Sequence, residues 1–176
     1  MPLKSTAYTF AVWRSRKRPE PISFLIWRSI RSLPYFFAPG PRITLLDPKL
    51  LERVFALHPI LHLNQKEITS YTGKEDLKAA AEEIHRFTQN TVIVTLGADG
   101  CYYYDGEKEE TIPGVPAEQL DTIGAGDSHI GAVIAGLQCG KTIEEAIATA
   151  NRVSAKVVET EGALLSDEAF ASLDLL

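Results

Sequence analysis

Asp121-Thr122-Ile123-Gly124-Ala125-Gly126-Asp127 is the segment of this 176-residue chain whose residue types and spacing are best suited to chemistry. Carboxylates stand at both ends with small residues between them. The apolar positions that follow, Ile130, Val133, Ile134 and Leu137, keep helical spacing to a stop at Gly140. The segment therefore reads as a glycine-bearing turn that opens a helix. Small residues there let backbone N–H groups close around phosphate oxygens, and the helix dipole adds positive potential where a transferred phosphate gathers charge. Gly124, Ala125 and Gly126 form the candidate anion cradle. Asp127, just inside the helix, is placed to accept the proton of an attacking hydroxyl, as positioned phosphoryl transfer requires. A simpler reading also fits a bare Gly-Ala-Gly: close helix-to-sheet packing, with Asp127 favouring the dipole.

The other candidate groups point to less. His129 lies two residues beyond Asp127, and positions i and i+2 of a helix face different sides, so it reads as structural. His58, His62 and His85 fall in separate elements with no ligand-like spacing to cysteine or carboxylate, which argues against zinc. Cys101 and Cys139 form no CxxC pair, and a reducing, cytoplasmic setting is expected.

Positioning these groups requires alternating β-rich runs and amphipathic helices, the pattern of an α/β fold, and it holds from residue 43 onward. Lys49–Leu57 reads as a helix, and Ile60–Leu63 as a buried strand closed by Asn64. Thr72 and Glu75 have capping-box spacing for a helix whose face is Leu77, Ala80, Ala81, Ile84 and Phe87. Thr91–Leu96 is the best buried strand, ending at Gly97 and Gly100. Cys101–Tyr104 and Lys108–Ile112 resemble a hairpin around Asp105-Gly106, whose residues suit positive φ, and the three tyrosines read as packing. Thr142 with Glu145 caps a helix with the stripe Ile143, Ala146, Ile147, Ala150, Val153 and Val157, and Ser166 caps a last short helix.

Composition fits one soluble globular domain, at 45% hydrophobic, 23% charged and 9% aromatic residues. A net charge of −5 does not suggest nucleic-acid binding. The charge is uneven, however: residues 1–42 carry +7 and the remainder −12. Residues 1–34 read as an atypical basic segment, with Trp13, Trp27 and several arginines but no amphipathic period. No run approaches the roughly 18 apolar residues of a membrane span, because Phe24–Trp27 is cut off at Arg28.

The full heptad Asp121–Asp127 resembles the DTxGAGD signature of the ribokinase-like (PfkB) carbohydrate kinase family at every specified position. Further segments follow in that family's order. Ala38–Arg42 is similar to its segment after a central strand, Asn64-Gln65-Lys66-Glu67 to its NxxE element, and Thr95–Gly100 to its strand-end nucleotide loop. Gly114–Ala117 is similar to the stretch before the signature, and Ala150-Asn151 with Gly162-Ala163 to the C-terminal helix region. The resemblance covers about residues 35–166.

It implies a three-layer, Rossmann-like ribokinase-type fold over residues 35–176 and ATP-dependent phosphotransfer to a hydroxyl of a small sugar or nucleoside. Asp127 would be the catalytic base, and the Gly124–Gly126 backbone the anion hole. Asn64 and Glu67 would organise magnesium and phosphates, Glu67 through metal-bound water, although a capped helix start after a strand explains the same pair. Thr95, Gly97 and Gly100 would face the nucleotide, and Asn151 lies where relatives contact the base. A monovalent cation, potassium, would take Asp121, the Ile123 carbonyl, Gly162 and Ser166.

The sequence also departs from the family. The signature belongs to the C-terminal half of such kinases, and the N-terminal acceptor-binding half and β lid are not recognisable, so a truncated form of the fold is expected. Ala38 stands where many relatives place aspartate. A half-sheet with an uncovered edge favours self-association as a homo-oligomer. The alternative to an active kinase is an inert, nucleotide-binding remnant.

Overall fold

A computed structural model describes residues 35–173, so the basic segment 1–34 lies outside the described residues. The strands are β1 (Phe36–Phe37), β2 (Ile60–Asn64), β3 (Val92–Thr95), β4 (Gly100–Tyr104) and β5 (Glu109–Pro113). They form one sheet in that order, β1 to β3 parallel and β4 and β5 antiparallel. Between them run the helices α1 (Pro48–Phe55), α2 (Gln65–Thr72) and α3 (Leu77–Thr88). After β5 come α4 (Ala125–Gln138), α5 (Ile143–Val158) and the short α6 (Asp167–Ala171).

Alternation along the strands sends successive side chains to opposite faces and so builds two cores. Phe37, Leu61, Leu63, Val92 and Val94 pack against Leu51, Val54, Phe55, Ile68, Ala80, Ala81 and Ile84 of α1 to α3. On the other face, Phe36, Ile60, Ile93, Cys101 and Tyr103 meet Val133 of α4 and Ala146, Ile147 and Ala150 of α5. The result is the three-layer α/β arrangement expected from the sequence. Full burial of each large apolar side chain contributes about 1.5–3 kcal/mol, which is why the parallel strands are mostly apolar, with His62 the exception within β2.

Local capping sets the helix starts. Thr142 and Glu145 form the expected capping box, and Ser166 Oγ accepts from the Ala169 N–H at 3.1 Å. The Thr72–Glu75 capping box does not form. Thr72 ends α2, donating its hydroxyl to the Ile68 carbonyl, and Gly73 closes that helix in the left-handed conformation. Asp76, directly before α3, is the cap, accepting from the Ala79 N–H at 2.7 Å. Phe87 also departs from the expected buried face: it is 54% exposed and stacks on Phe55 at 6.1 Å. In the hairpin only Gly106 takes a positive φ. Asp105 Oδ1 instead accepts from the Glu107 and Lys108 N–H groups, so a side-chain turn replaces the tight two-residue one.

The tyrosines pack as expected. Tyr103 is fully buried and its hydroxyl donates to Glu144 at 2.6 Å, tying the hairpin to α5. Among the described residues no helix is long and apolar enough to cross a membrane.

Candidate functional site

The strand ends and the start of α4 converge on a cavity of about 610 Å³. Asn64, Thr95, Gly97, Gly100, Ala125, Gly126 and Asn151, dispersed over some ninety positions of sequence, all line it. Register explains the first two, since Asn64 and Thr95 are partners at the ends of the parallel strands β2 and β3. Ligands of open α/β sheets bind at such carboxyl ends. A larger apolar groove of about 940 Å³ lies between α4, α5 and the chain after α5, and holds none of the sequence-predicted site residues.

Gly124 shapes the turn that the sequence offered as a candidate cradle. It caps α4 with φ +81°, and a Cβ there would lie 2.6 Å from the Ala163 Cβ. Only glycine meets both demands. The Ala125 N–H bonds the Thr122 carbonyl at 3.3 Å and the Ser128 N–H returns to Gly124 at 2.8 Å. Between them, the Gly126 and Asp127 N–H groups have no protein acceptor among the described residues, as first-turn donors commonly do not. A Cβ on Gly126 would meet nothing within 4 Å. These features suit an anion.

Asp127 is exposed, and no hydrogen bond or ion pair engages its carboxylate among the described residues. His129, two residues on, is buried, so the helix does separate the two side chains. Asn64 and Glu67 form a reciprocal capping box: Asn64 Oδ1 accepts from the Glu67 N–H, and Glu67 Oε2 accepts from the Asn64 N–H, both at 2.9 Å. The helix-start reading of this pair is therefore present in full. It still leaves Glu67 Oε1 without a partner among the described residues, an oxygen suited to a water of a hydrated divalent cation. Gly100, at φ +104°, packs so closely on the end of β5 that a Cβ would lie 2.2 Å from the Ile112 carbonyl oxygen.

The four residues of the expected monovalent-cation site are only partly assembled. Asp121 accepts from the Ile123 and Gly162 N–H groups at 3.0 and 3.2 Å, and chiefly the Ile123 bond holds its carboxyl below the usual range. Ser166 is engaged in capping α6. Among the described residues no group of three or more His, Cys, Asp or Glu side chains could hold a metal ion.

Asn151 lines the cavity and also makes contacts that the sequence did not suggest. It is buried, its Nδ2 donating to the Ile112 and Pro113 carbonyls at 3.1 and 2.9 Å, and its Oδ1 faces His129 Nε2 at 3.0 Å. His62 Nε2 lies 3.0 Å from the other His129 nitrogen. Sequence reasoning missed this pair because the two histidines are 67 positions apart; the one usable signal was an imidazole in the otherwise apolar β2. Burial, with His129 adding to it, holds His62 down near 3; burial holds His129 near 4, opposed by Asn151.

Both rings are thus neutral when folded and free to charge at about 6.5 when unfolded. The unfolded chain binds more protons below that value, so stability is full above pH 6.5 and falls as pH drops toward 4. The loss is about 1.4 kcal/mol per ring per pH unit. Thermal melts at about pH 7.5 and about pH 5.5 should therefore differ by several degrees. Identical melting temperatures would contradict neutral buried rings.

The family model for pfkB family carbohydrate kinases matches residues 39–169. The chain belongs to that family. An uncharacterised sugar kinase of Escherichia coli is 35% identical over 127 residues, covering 70% of this pfkB-family chain and 40% of the relative. The ribokinase of Thermotoga maritima superposes with a TM-score of 0.66 at 26% identity, over 76% of this chain and 47% of that one. Aminoimidazole riboside kinase of Salmonella enterica, solved with aminoimidazole riboside and an ATP analogue, gives 0.63 at 27% identity, over 72% and 46%. The fold is the ribokinase-type α/β fold, and the pfkB-family chain spans less than half the length of each of these relatives.

Proposed function

We propose that this chain carries the nucleotide-binding and catalytic part of an ATP-dependent kinase acting on a hydroxyl of a sugar or nucleoside. One observation carries the reading: at the start of α4, where Ala125 and Gly126 line a cavity bounded by two strand ends, the Gly126 and Asp127 N–H groups and the Asp127 carboxylate have no partner among the described residues. Donors for a phosphate and an acceptor for a proton are thereby side by side. Asp127 takes the proton of the acceptor hydroxyl as its oxygen attacks the γ-phosphorus. The bond from that phosphorus to the bridging oxygen breaks, and ADP leaves. The Gly126 and Asp127 N–H groups meet the charge on the transferred phosphoryl oxygens. Asn64 and Glu67 would hold hydrated magnesium, which when bound neutralises phosphate charge.

A second reading, a nucleotide-binding chain that transfers nothing, is favoured by the coverage of less than half of each relative. Calorimetric titration of the purified chain with Mg·ATP tests the shared part, and saturable binding at micromolar to low-millimolar concentration is the expected result. No heat from a folded sample would overturn the nucleotide site. ADP release that depends on an added sugar or nucleoside then separates kinase from remnant.

A further inference from the structure

We infer that His62 and His129 are positioning residues of the nucleotide site, joined to Asn151 in a one-directional hydrogen-bond chain that holds the β2 end, the start of α4 and the end of β5 in fixed relation. The inference rests on reading the 610 Å³ cavity as a nucleotide site. The direction is fixed from one end. Asn151 Nδ2 faces the carbonyl oxygens of Ile112 and Pro113, which only accept, so both amide hydrogens are engaged and Oδ1 must accept from elsewhere. A flipped amide would set oxygen against two carbonyls. His129 Nε2 therefore carries its hydrogen toward Asn151 Oδ1. The other nitrogen of the neutral ring, Nδ1, is then an acceptor, and the donor across 3.0 Å is His62 Nε2.

Each bond in such a chain polarises the next, and burial of the three side chains limits competition from water. The chain crosses four elements. His62 stands two residues before Asn64, and His129 three after Gly126, so the ring pair ties the strand-end turn to the anion cradle. Asn151 joins both to the end of β5, and His129 and Asn151 themselves line the cavity. An apolar side chain could fill the same volume, as Ile60, Ile93 and Val133 do on this sheet face. What it could not do is specify one orientation across four elements. Removing the His129 nitrogens leaves a buried donor on His62 and a buried acceptor on Asn151, and the cradle moves relative to Asn64 as they relax.

The test compares His129→Phe with His129→Gln in the full chain. Glutamine can accept from His62 through Oε1 and donate to Asn151 through Nε2, so it keeps the direction of the chain. Mg·ATP titration and thermal melting are measured for all three proteins, and two-bond ¹H–¹⁵N correlations assign the ring tautomers of the unmodified chain. The expected results are Nε2–H tautomers for both His62 and His129, shifted by Mg·ATP. Affinity should fall about tenfold or more in His129→Phe and stay within about threefold in His129→Gln. An Nδ1–H tautomer on either ring, or a folded His129→Phe that binds like the unmodified chain, overturns the inference. If His129→Phe does not fold, the tautomers decide: rings unmoved by bound Mg·ATP overturn it as well. Failure of the unmodified chain to bind Mg·ATP overturns the nucleotide site itself, and this role with it.

Discussion

Asp127→Asn is expected, on the proposed function, to lower acceptor-dependent ADP release by about 10²–10⁴-fold and to leave Mg·ATP affinity nearly unchanged. The side chain explains both halves of this expectation. Asp127 is exposed and no described residue holds its carboxylate, so the amide fits the same space without disturbing a neighbour. It cannot take a proton from a hydroxyl. Its contribution to the cradle is a backbone N–H, which the substitution keeps. Loss of a negative charge from the first turn of α4 weakens the helix by about 0.3–1 kcal/mol, too little to unfold the chain. A coupled assay over a panel of sugars and nucleosides, run beside calorimetry on both proteins, reads the two quantities separately. Equal turnover would remove Asp127 from the chemistry, whereas equal losses of turnover and affinity would mean that the residue acts through the cradle.

How much of this was legible in the sequence follows from how local each signal is. The start of α4, the Thr142–Glu145 capping box and the Ser166 cap are written within four residues, and all three form where expected. The strand pairings were legible as elements but not as partners. Asn64 and Thr95 meet because β2 and β3 align in parallel register, and nothing in either segment states that alignment. Thr72 misled because capping-box spacing recurs wherever Thr precedes Glu by three, and Gly73 and Asp76 offered a stronger stop and start. Asn151 is the instructive case. Its position was legible through the family pattern, yet its amide is engaged by partners 22 to 39 residues away, on two other elements. Contacts set by tertiary register leave no periodic trace.

Two alanine substitutions two positions apart should weaken Mg·ATP binding while moving stability in opposite directions. At Gly124 the backbone has φ +81°, where a side chain costs about 1–2 kcal/mol, and the new Cβ would lie 2.6 Å from that of Ala163. Relieving the overlap costs a further ~1–3 kcal/mol and pushes the turn out of shape. Gly124→Ala is therefore expected to lower the melting temperature by on the order of 10 °C. Gly126 has no positive φ and an open space before it. Alanine there gains about 0.5–1 kcal/mol of helix propensity and raises the melting temperature by a few degrees. Gly126 lines the cavity, and on the proposed function an added methyl would crowd phosphate oxygens approaching its N–H, so affinity is expected to fall about tenfold. A cradle that holds phosphate thus keeps a glycine that makes its own helix weaker. Calorimetry and melting on the pair decide the point: if Gly126→Ala is stabilised and binds Mg·ATP undiminished, the phosphates do not sit on this turn, whatever the signature around it resembles.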